Sequence, residues 1–404
     1  MNKKPFTKKK IINFFKSQKK IIKNTEIVKL LDAKERILAE NLKSKINIPP
    51  FNNSAVDGYT ILKSDLLLGK KLICNRRITA GDKKNLKNKK GEVIRIFTGA
   101  KMPLNSSTVV MQENTVKKNG KVILLKIPNL GENYRLKGED IRKNQIILKK
   151  GDIINNQNLN LVAAAGITKI KVYKKIKIGF FTSGNELRNS TTKLKGSEIN
   201  NSNFYSLSLL LDKKYISKKY CGNLKDSFSF VEKQIKKNSK KFNVLITAGG
   251  ASVGEEDYLI SVLLKIGKIF FWKAAIKPGR PIAVGKIKNT FIICLPGNPV
   301  SVQLLYSMII DPFVKYLAGE KFSLPKSEKI IANFSMKKKT NRMEWLRVIK
   351  KRIKNLDYAN KYNKQGSGMI SSIAYSDGII EVPENVQSIK KGELYNFYSF
   401  QVLF

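Results

Sequence analysis

Residues 244–257 read VLITAGGASVGEED and carry the clearest structural pattern of the chain. Its first five residues are apolar or β-branched and stop at two adjacent glycines, which is how a buried parallel strand ends. The loop that follows is small and rich in donors, and it suits a phosphate because glycines put no Cβ atom before the backbone N–H groups. Two adjacent glycines after a strand are also common in turns that bind no ligand. The predicted ligand loop comprises Gly249, Gly250, Ser252 and Gly254, with Asp257 at its rim.

A second strand with the same plan lies at residues 291–299, FIICLPGNP. Its apolar part stops at Pro296, Gly297 and Asn298, and Pro299 opens an apolar helix. Open α/β sheets bind ligands outside the carboxyl ends of their parallel strands. The two loops therefore predict one shared crevice.

The remaining chain predicts the surrounding architecture. Residues 176–181 form a third strand with its loop at 182–186, and helices are expected at 203–211, 227–235, 259–266 and 300–317. This alternation favours a doubly wound, mostly parallel sheet within an α/β multidomain protein. Short strands over 72–125 predict a β-rich inserted domain, and short alternating runs after 319 predict a small C-terminal β domain. Residues 25–45 have helical spacing, and a short helix is expected at 158–165.

Composition limits the class of protein. A chain of 404 residues predicts two to four domains, and no apolar stretch approaches the roughly 20 residues that span a bilayer. The N-terminal 22 residues predict a basic amphipathic helix without the features of a signal peptide. Three widely spaced cysteines suggest neither disulfides nor a zinc site, so we expect a cytoplasmic protein without a membrane partner.

The net charge of +48 is the most extreme property of the chain. Such a charge is typical of proteins that bind nucleic acid or anionic membranes. The lysines, however, are spread along the whole chain, and no stretch interleaves aromatic with basic residues as single-strand binding surfaces do. We therefore expect no specific nucleic-acid partner. Because histidine is absent, acid–base chemistry falls to other side chains and any metal must be held mostly by oxygen.

Nine short motifs then occur in the order found in one enzyme family. They are SAVDGY (54–59), ITAGD (78–82), RIFTGAKMP (95–103), VVMQE (109–113), KGED (137–140), TSGNEL (182–187), AGGASVGEEDY (248–258), FWKAAIKPGRP (271–281) and LPGNPVS (295–301). From about residue 25 onward the chain resembles the molybdopterin molybdenumtransferases, which are related to the E domain of gephyrin.

The resemblance implies an activity and a domain plan. Family members insert molybdate into adenylylated molybdopterin with Mg²⁺, releasing AMP, and look like elongated homodimers of four-domain subunits. On this plan residues 1–26 and 171–318 form a molybdopterin-binding α/β domain, and 27–46 with 141–170 form a linking domain. Residues 47–140 form the β-rich insert and 319–404 the last domain.

The same resemblance implies roles for individual residues. Catalytic roles fall to Asp57, Thr98, Asp140, Glu186, Asp226 and Asp257, and the candidate metal ligands among them are Glu186, Asp226 and Asp257. Pterin and AMP binding falls to Thr182, Ser183, Gly184, Gly249, Gly250, Ser252, Gly254, Pro296, Gly297, Asn298 and Pro299. Molybdate binding falls to Lys277, Arg280, Arg342, Ser367 and Ser371. Asp57 and Asp140 are expected to act across the dimer.

Two departures from the family pattern keep alternatives open. Asn185 stands where the family usually has Asp, which removes one negative charge, and Arg280 replaces Lys with a different donor geometry. A degenerate member that binds pterin without inserting metal is one alternative. A basic nucleic-acid-binding or scaffold protein is another, and it rests on the charge alone.

Overall fold

The computed structural model describes residues 4–250, 258–339 and 341–404. Its largest unit is a six-stranded mixed sheet. The strands run in the order Ile216–Leu224, Ile176–Ser183, Val244–Ala248, Thr290–Leu295, Ala283–Ile287 and Lys268–Trp272. The first four are parallel to one another. Ala283–Ile287 runs antiparallel to Thr290–Leu295, and Lys268–Trp272 runs antiparallel to Ala283–Ile287, so the last strand has the direction of the first four.

Helices cover both faces of this central sheet, which confirms the doubly wound prediction. One face packs against the N-terminal helix, Ser202–Leu210 and the long helix that starts at Pro299. The other face packs against Phe228–Ser239 and Tyr258–Ile266. The strand residues alternate between the two cores, so that Ile246 faces the first and Leu245 the second.

The helix after the second glycine loop runs without a break from Pro299 to Leu317. It comprises Pro299–Leu305, a π-helical turn at Tyr306–Ile310 and Asp311–Leu317. The Phe313 ring in its last part stacks on Phe15 of the N-terminal helix, Lys8–Ser17, with ring centroids 3.9 Å apart. The predicted amphipathic helix at the N-terminus is thus confirmed, and its apolar side completes one face of the central core.

The prediction of a helix at residues 25–45 is wrong. Residues Thr25–Lys29 form a strand that pairs antiparallel with Lys169–Tyr173, and a short 3₁₀ turn, Leu30–Ala33, follows. Glu35 then has a φ of +59°, a left-handed conformation that ends any right-handed helix. Pairing with a segment 140 residues away outweighs the local helical spacing.

A small linking region surrounds this pair of strands. Its own core includes Leu38, Ile154 and Val162, and the helix Asn156–Ala164 closes it. The strands Leu42–Lys43 and Ile146–Leu148 pair at its edge. The short helix expected at 158–165 is confirmed, and it begins two residues earlier than predicted.

The β-rich insert is confirmed as a six-stranded sheet. Its strands run in the order Thr108–Met111, Gly58–Ile61, Glu92–Ile96, Lys71–Ile78, Lys121–Leu124 and Thr115–Lys118. Single turns at Lys63–Asp65 and Gln112–Asn114 connect them. A minor pair, Asn53–Ser54 with Tyr134–Arg135, joins the start of the insert to its end.

The last part of the chain folds into a closed five-stranded barrel, as the predicted small β domain requires. The strands are Met343–Ile353, Leu356–Lys361, Glu328–Ala332, Leu394–Ser399 and Gly378–Val382, and the last pairs with the first. Minor elements are Met336–Lys337 with Ser388–Ile389, and the short helices Ser371–Ala374 and Phe400–Leu403. Ile276–Lys277 of the central part adds a parallel strand to Met343–Ile353.

The exact division of the chain into four domains stays a prediction. None of the described helices is long and apolar enough to cross a membrane.

Candidate functional site

Three loops that follow parallel strands of the central sheet line a cleft of about 550 Å³. The loops follow Ile176–Ser183, Val244–Ala248 and Thr290–Leu295, so they meet at one edge of the sheet. The lining residues are Ser183, Glu186, Leu187, Ile199, Asn200, Ser202, Asn203, Gly250, Pro281, Pro296, Gly297, Asn298, Pro299, Gly368 and Ile370. Leu187–Arg188 and Ile199–Asn200 pair as short strands at its side. The predicted crevice is therefore present.

Gly249 allows two of these loops to touch. A Cβ atom at this position would lie 2.6 Å from the Ser183 carbonyl oxygen, and the residue has a φ of +103°. The Gly249 N–H donates to the Leu295 carbonyl oxygen at 3.0 Å. Only glycine fits both the contact and the conformation. The three loops are thus held together backbone to backbone.

Thr182 lies beneath the cleft rather than in its wall, because its side chain is fully buried. Its hydroxyl donates to Asn223 Oδ1 at 3.0 Å and accepts from Asn201 Nδ2 at 2.9 Å. Since its one proton is used, the Tyr220 hydroxyl at 2.9 Å must be the donor in their contact. Asn223 Nδ2 in turn donates to the Gly184 carbonyl oxygen at 2.7 Å. This network fixes the loop that carries Ser183 and Glu186.

The N-terminus of the Pro299 helix is held from two sides. Asn203 Nδ2 donates to the Gly297 carbonyl oxygen at 2.6 Å. On the other side, the Val300 N–H donates to the Ser367 carbonyl oxygen at 3.2 Å, which brings a loop of the barrel onto the cleft. Unpaired N–H groups at a helix N-terminus attract anions. Because Pro299 has no N–H and the Val300 N–H is already paired, the helix offers the cleft the positive end of its dipole and not these two donors.

Of the predicted carboxylates that the structure describes, Glu186 alone lines the cleft. Asp226 follows the end of Ile216–Leu224 and so lies at the same edge of the sheet. Asp257, with Ser252 and Gly254, lies outside the described residues. Within residues 4–250, 258–339 and 341–404, no three Asp, Glu or Cys side chains form a cluster that could hold a metal ion. The proposed metal set therefore stays a prediction.

Lys277 lies at the junction between the central domain and the barrel. Its ammonium group is 3.3 Å from Glu344 Oε2, and this glutamate is almost fully buried whereas Lys277 is half-exposed. Arg280 is exposed, and its neighbour Pro281 lines the cleft. The KPGRP segment thus runs along the cleft, with Gly279 packed against Leu305 so closely that a Cβ atom would lie 2.7 Å from it. Neither Lys277 nor Arg280 is among the described residues that line the cleft, so their contact with an anionic ligand stays a prediction.

Arg347 positions one wall of the cleft, and it was not among the residues predicted from the sequence. Its side chain is 1% exposed, and burial lowers its pKa to about 10. The guanidinium donates to Ser372 Oγ at 3.1 Å and to the Gly366 carbonyl oxygen at 3.3 Å. It thereby fixes the loop that carries Ser367 and Gly368. The feature of the sequence that could have indicated its role is an arginine within the otherwise apolar run WLRVI.

The other two predicted molybdate residues lie close by. Arg342 is half-buried just before Met343–Ile353, and Ser371 starts the short helix after the loop held by Arg347. Neither lines the cleft among its described residues.

The remaining predicted residues lie on the β-rich insert. Asp57 Oδ1 accepts from the Thr98 N–H at 2.8 Å and from its hydroxyl at 2.7 Å. These two hydrogen bonds, with Arg95 nearby, lower the pKa of Asp57. Asp140 is exposed, and its N–H donates to the Ile48 carbonyl oxygen. In the described part of the chain, no insert residue lines the cleft.

A multidomain chain with a glycine-lined crevice at the edge of a doubly wound sheet belongs to the α/β proteins that bind a ligand beyond their strand ends, and comparison with known proteins identifies its family. Residues 8–166 match the model of the MoeA N-terminal region (domain I and II), 179–316 match a probable molybdopterin binding domain and 329–400 match the MoeA C-terminal region (domain IV). The chain belongs to the molybdopterin molybdenumtransferase family.

Individual relatives match over almost their full length. The chain is 32% identical over 389 residues to a molybdopterin molybdenumtransferase of Haemophilus influenzae, which covers 94% of this chain and 95% of the relative. It is 33% identical to a putative molybdopterin biosynthesis protein of Methanocaldococcus jannaschii, covering 93% and 92%. Two crystal structures of a Pyrococcus horikoshii molybdopterin biosynthesis MoeA protein are similar. Their TM-scores are 0.77 at 28% identity, with 98% and 99% covered, and 0.83 at 25% identity, with 98% and 100% covered.

Proposed function

We propose that this chain is a molybdopterin molybdenumtransferase that inserts molybdate into adenylylated molybdopterin and releases AMP. Its relatives carry that name over almost the whole length of the chain. The observation that carries the proposal is the cleft, where two glycine loops and a helix N-terminus meet Pro281, the neighbour of the exposed Arg280. This combination suits a ligand that joins a phosphate to an oxyanion.

The backbone groups would bind the pyrophosphate of the substrate. Ser183, Gly250 and Gly297 bring main-chain atoms to the cleft wall without bulky side chains. Because the Thr182 network and the Gly249 contact hold these loops, their donors need no rearrangement on binding. Rigid donors stabilise the charge that develops as the phosphate bond breaks.

Molybdate is a tetrahedral dianion and needs fixed positive charge. Lys277 and Arg280 supply it, and Arg280 can direct two N–H groups at two oxygens. The Glu344 carboxylate, at 3.3 Å, orients the Lys277 ammonium. The Arg347 hydrogen bonds hold the Ser367 loop beside the Pro299 helix. We infer that oxyanion and phosphate lie in one cleft, between the central sheet and the barrel.

Mg²⁺ is the proposed cofactor. Magnesium commonly binds through one or two carboxylates together with substrate phosphates, so Glu186 at the cleft wall and Asp226 at the same sheet edge are suitable ligands. When bound, it would neutralise charge on the phosphate that leaves. Asn185 is exposed beside Glu186 and offers an amide oxygen in place of the carboxylate that the family usually has.

We test the proposal by reconstitution with adenylylated molybdopterin, Mg²⁺ and molybdate, measuring AMP and metal-loaded pterin. Glu186→Gln is compared with Glu232→Gln, a glutamate on the Phe228–Ser239 helix that pairs with Lys236 and Lys265. Loss of at least 100-fold in turnover for Glu186→Gln, with less than twofold for Glu232→Gln, supports the proposal. Pterin binding without turnover by the unchanged protein would instead identify a degenerate member.

A further inference from the structure

A second and larger cleft lies at the opposite edge of the central sheet. It has a volume of about 850 Å³ and is lined where the parallel strands begin, at Lys177, Asn243 and Thr290. The candidate site lies where the same strands end. Since Val244–Ala248 has five residues, the two clefts are separated by roughly 17 Å of strand. We call it the lysine cleft.

Seven of its fifteen lining residues are lysines and none is acidic, whereas Lys and Arg together make up 78 of the 404 residues of the chain. The seven are Lys23, Lys174, Lys175, Lys177, Lys240, Lys241 and Lys288. In the part of the chain that the structure describes, none of them has a carboxylate within ion-pair distance, although fourteen such pairs form elsewhere.

Helix ends do not account for this charge. Lys240 and Lys241 follow the C-terminus of Phe228–Ser239, where positive charge is favourable. The other five lysines come from residues 23–24, 174–177 and the turn at 288–289, which do not follow a helix C-terminus. Ammonium groups gathered without partners repel one another, and an anion bound between them would relieve that repulsion.

The floor of the lysine cleft is rigid. The Lys174 N–H donates to the Asn24 carbonyl oxygen at 2.9 Å, and the Asn243 N–H to the Lys177 carbonyl oxygen at 2.8 Å. The Lys177 N–H donates to Asn243 Oδ1 at 2.9 Å, and Thr290 Oγ1 to the Phe242 carbonyl oxygen at 2.8 Å. All four lining segments are therefore tied to one another.

We propose that the lysine cleft binds a compact polyanion with three or more linked phosphates, either inorganic or carried by a nucleoside. Its volume is that of a small-molecule site. Linked phosphates supply several charges within that space, whereas an acidic peptide supplies one per side chain. A single-strand nucleic-acid surface would need several aromatic rings for stacking, and this cleft has only Phe242 among its described lining residues. The inference is independent of the proposed function.

The test is calorimetric titration of the full chain at about 150 mM salt, where charges beyond roughly 8 Å are screened. The probes are inorganic tripolyphosphate, ATP and inorganic monophosphate. The cleft variant is Lys23→Gln/Lys175→Gln/Lys241→Gln. The control is Lys219→Gln/Lys233→Gln/Lys237→Gln, which removes three exposed lysines of the same domain outside the cleft.

We expect one tripolyphosphate per chain, an affinity at least tenfold lower in the cleft variant and a change below threefold in the control. Monophosphate should bind at least tenfold more weakly than tripolyphosphate. Equal affinity for ATP and tripolyphosphate would identify the phosphate chain alone as the ligand, and tighter ATP binding would identify a nucleoside polyphosphate.

Equal losses in the cleft and control variants would overturn the proposal, since the binding would then be diffuse. Loss of tripolyphosphate binding in Lys277→Gln/Arg280→Gln would assign it to the other cleft and overturn the proposal as well. Tighter binding of an RNA oligonucleotide or of poly-glutamate than of tripolyphosphate, abolished in the cleft variant, would show a macromolecular partner instead.

Discussion

Gly249 is the residue on which the geometry of the candidate site depends most. We predict that Gly249→Ala lowers turnover at least 100-fold, because the new methyl group would lie 2.6 Å from the Ser183 carbonyl oxygen and separate the two loops. A strained φ of +103° adds a stability cost of about 1–3 kcal/mol. Turnover and urea unfolding of the purified variant measure both effects.

Gly222 provides the matched control. It has a similar φ of +107°, but a Cβ atom there would meet nothing within 4 Å. Gly222→Ala should therefore lose comparable stability and keep its turnover within about threefold of the unchanged protein. If both variants lost turnover equally, backbone strain and not loop contact would explain the effect.

Glu320 makes stability depend on pH. Burial raises its pKa from 4.5 to about 7, and one of its carboxylate oxygens is buried without a hydrogen-bond partner among the described residues. Between pH 4.5 and about 7 the folded state keeps a proton that the unfolded state has lost. The free energy of unfolding therefore falls as pH rises through this window.

Glu320→Gln should remove that dependence. We expect it to be more stable than the unchanged protein at pH 8 by up to about 3 kcal/mol, and equally stable near pH 4. Chemical unfolding at both pH values measures the difference, with Glu40→Gln, an exposed glutamate, as control. A gain of the same size at both pH values would contradict this account.

Among the elements, the loop at residues 362–372 is held by the buried Arg347 side chain together with the Gln365 amide. Arg347→Lys would lose the paired contacts to Ser372 and to the Gly366 carbonyl oxygen, since an ammonium group cannot reach both. We expect kcat/KM for molybdate to fall at least tenfold, with a stability cost of about 1–3 kcal/mol.

Arg352→Lys, on the exposed end of the same strand, is the matched control and should change neither quantity measurably. Steady-state kinetics at varied molybdate concentration measure kcat/KM for both variants. Unchanged kinetics in Arg347→Lys would mean that the Ser367 loop keeps its position without these hydrogen bonds.

The elements that the sequence predicted well are those whose local pattern and burial agree. Val244–Ala248 and Thr290–Leu295 are buried along their whole length, and their glycine or proline ends are visible in the sequence. The Pro299 helix is likewise apolar and buried, and the proline at its start is visible in the sequence. The predicted crevice followed from these elements, because topology alone brings the ends of parallel strands together.

The elements that were missed are those whose partners are distant in the chain. Ile216–Leu224 is an edge strand with three lysine or serine residues in its first four, so it lacks an apolar pattern. Thr25–Lys29 has helical spacing but forms a strand because it pairs with Lys169–Tyr173. Arg347 donates hydrogen bonds to a loop about twenty residues later in the chain. A contact between segments this far apart cannot be predicted from the local spacing of residues.

For the whole molecule, the separation of the Asp57–Thr98 pair from the cleft predicts a shared active site. No described insert residue lines the cleft, and the large apolar side chains Leu31 and Ile27 are 90% and 70% exposed. These two side chains lie four residues apart in the chain and are available to a second subunit. We propose a homodimer in which the insert of one subunit completes the cleft of its partner.

Mixing two inactive variants tests this arrangement. Asp57→Asn and Glu186→Gln proteins, mixed in equal amounts and allowed to exchange subunits, should regain about a quarter of the unchanged activity, because half of the dimers would contain one intact site of two. Sedimentation measures the dimer in parallel. If a dimer formed and activity stayed absent after mixing, each site would be completed within one subunit.

The most direct measurement for the account as a whole is the dependence of AMP release on molybdate. Unchanged protein, adenylylated molybdopterin and Mg²⁺ are combined with and without molybdate, and AMP and metal-bound pterin are quantified together. We predict AMP release that requires molybdate and equals the amount of metal-bound pterin formed. AMP release at the same rate without molybdate, or bound pterin that never gains metal, would contradict it.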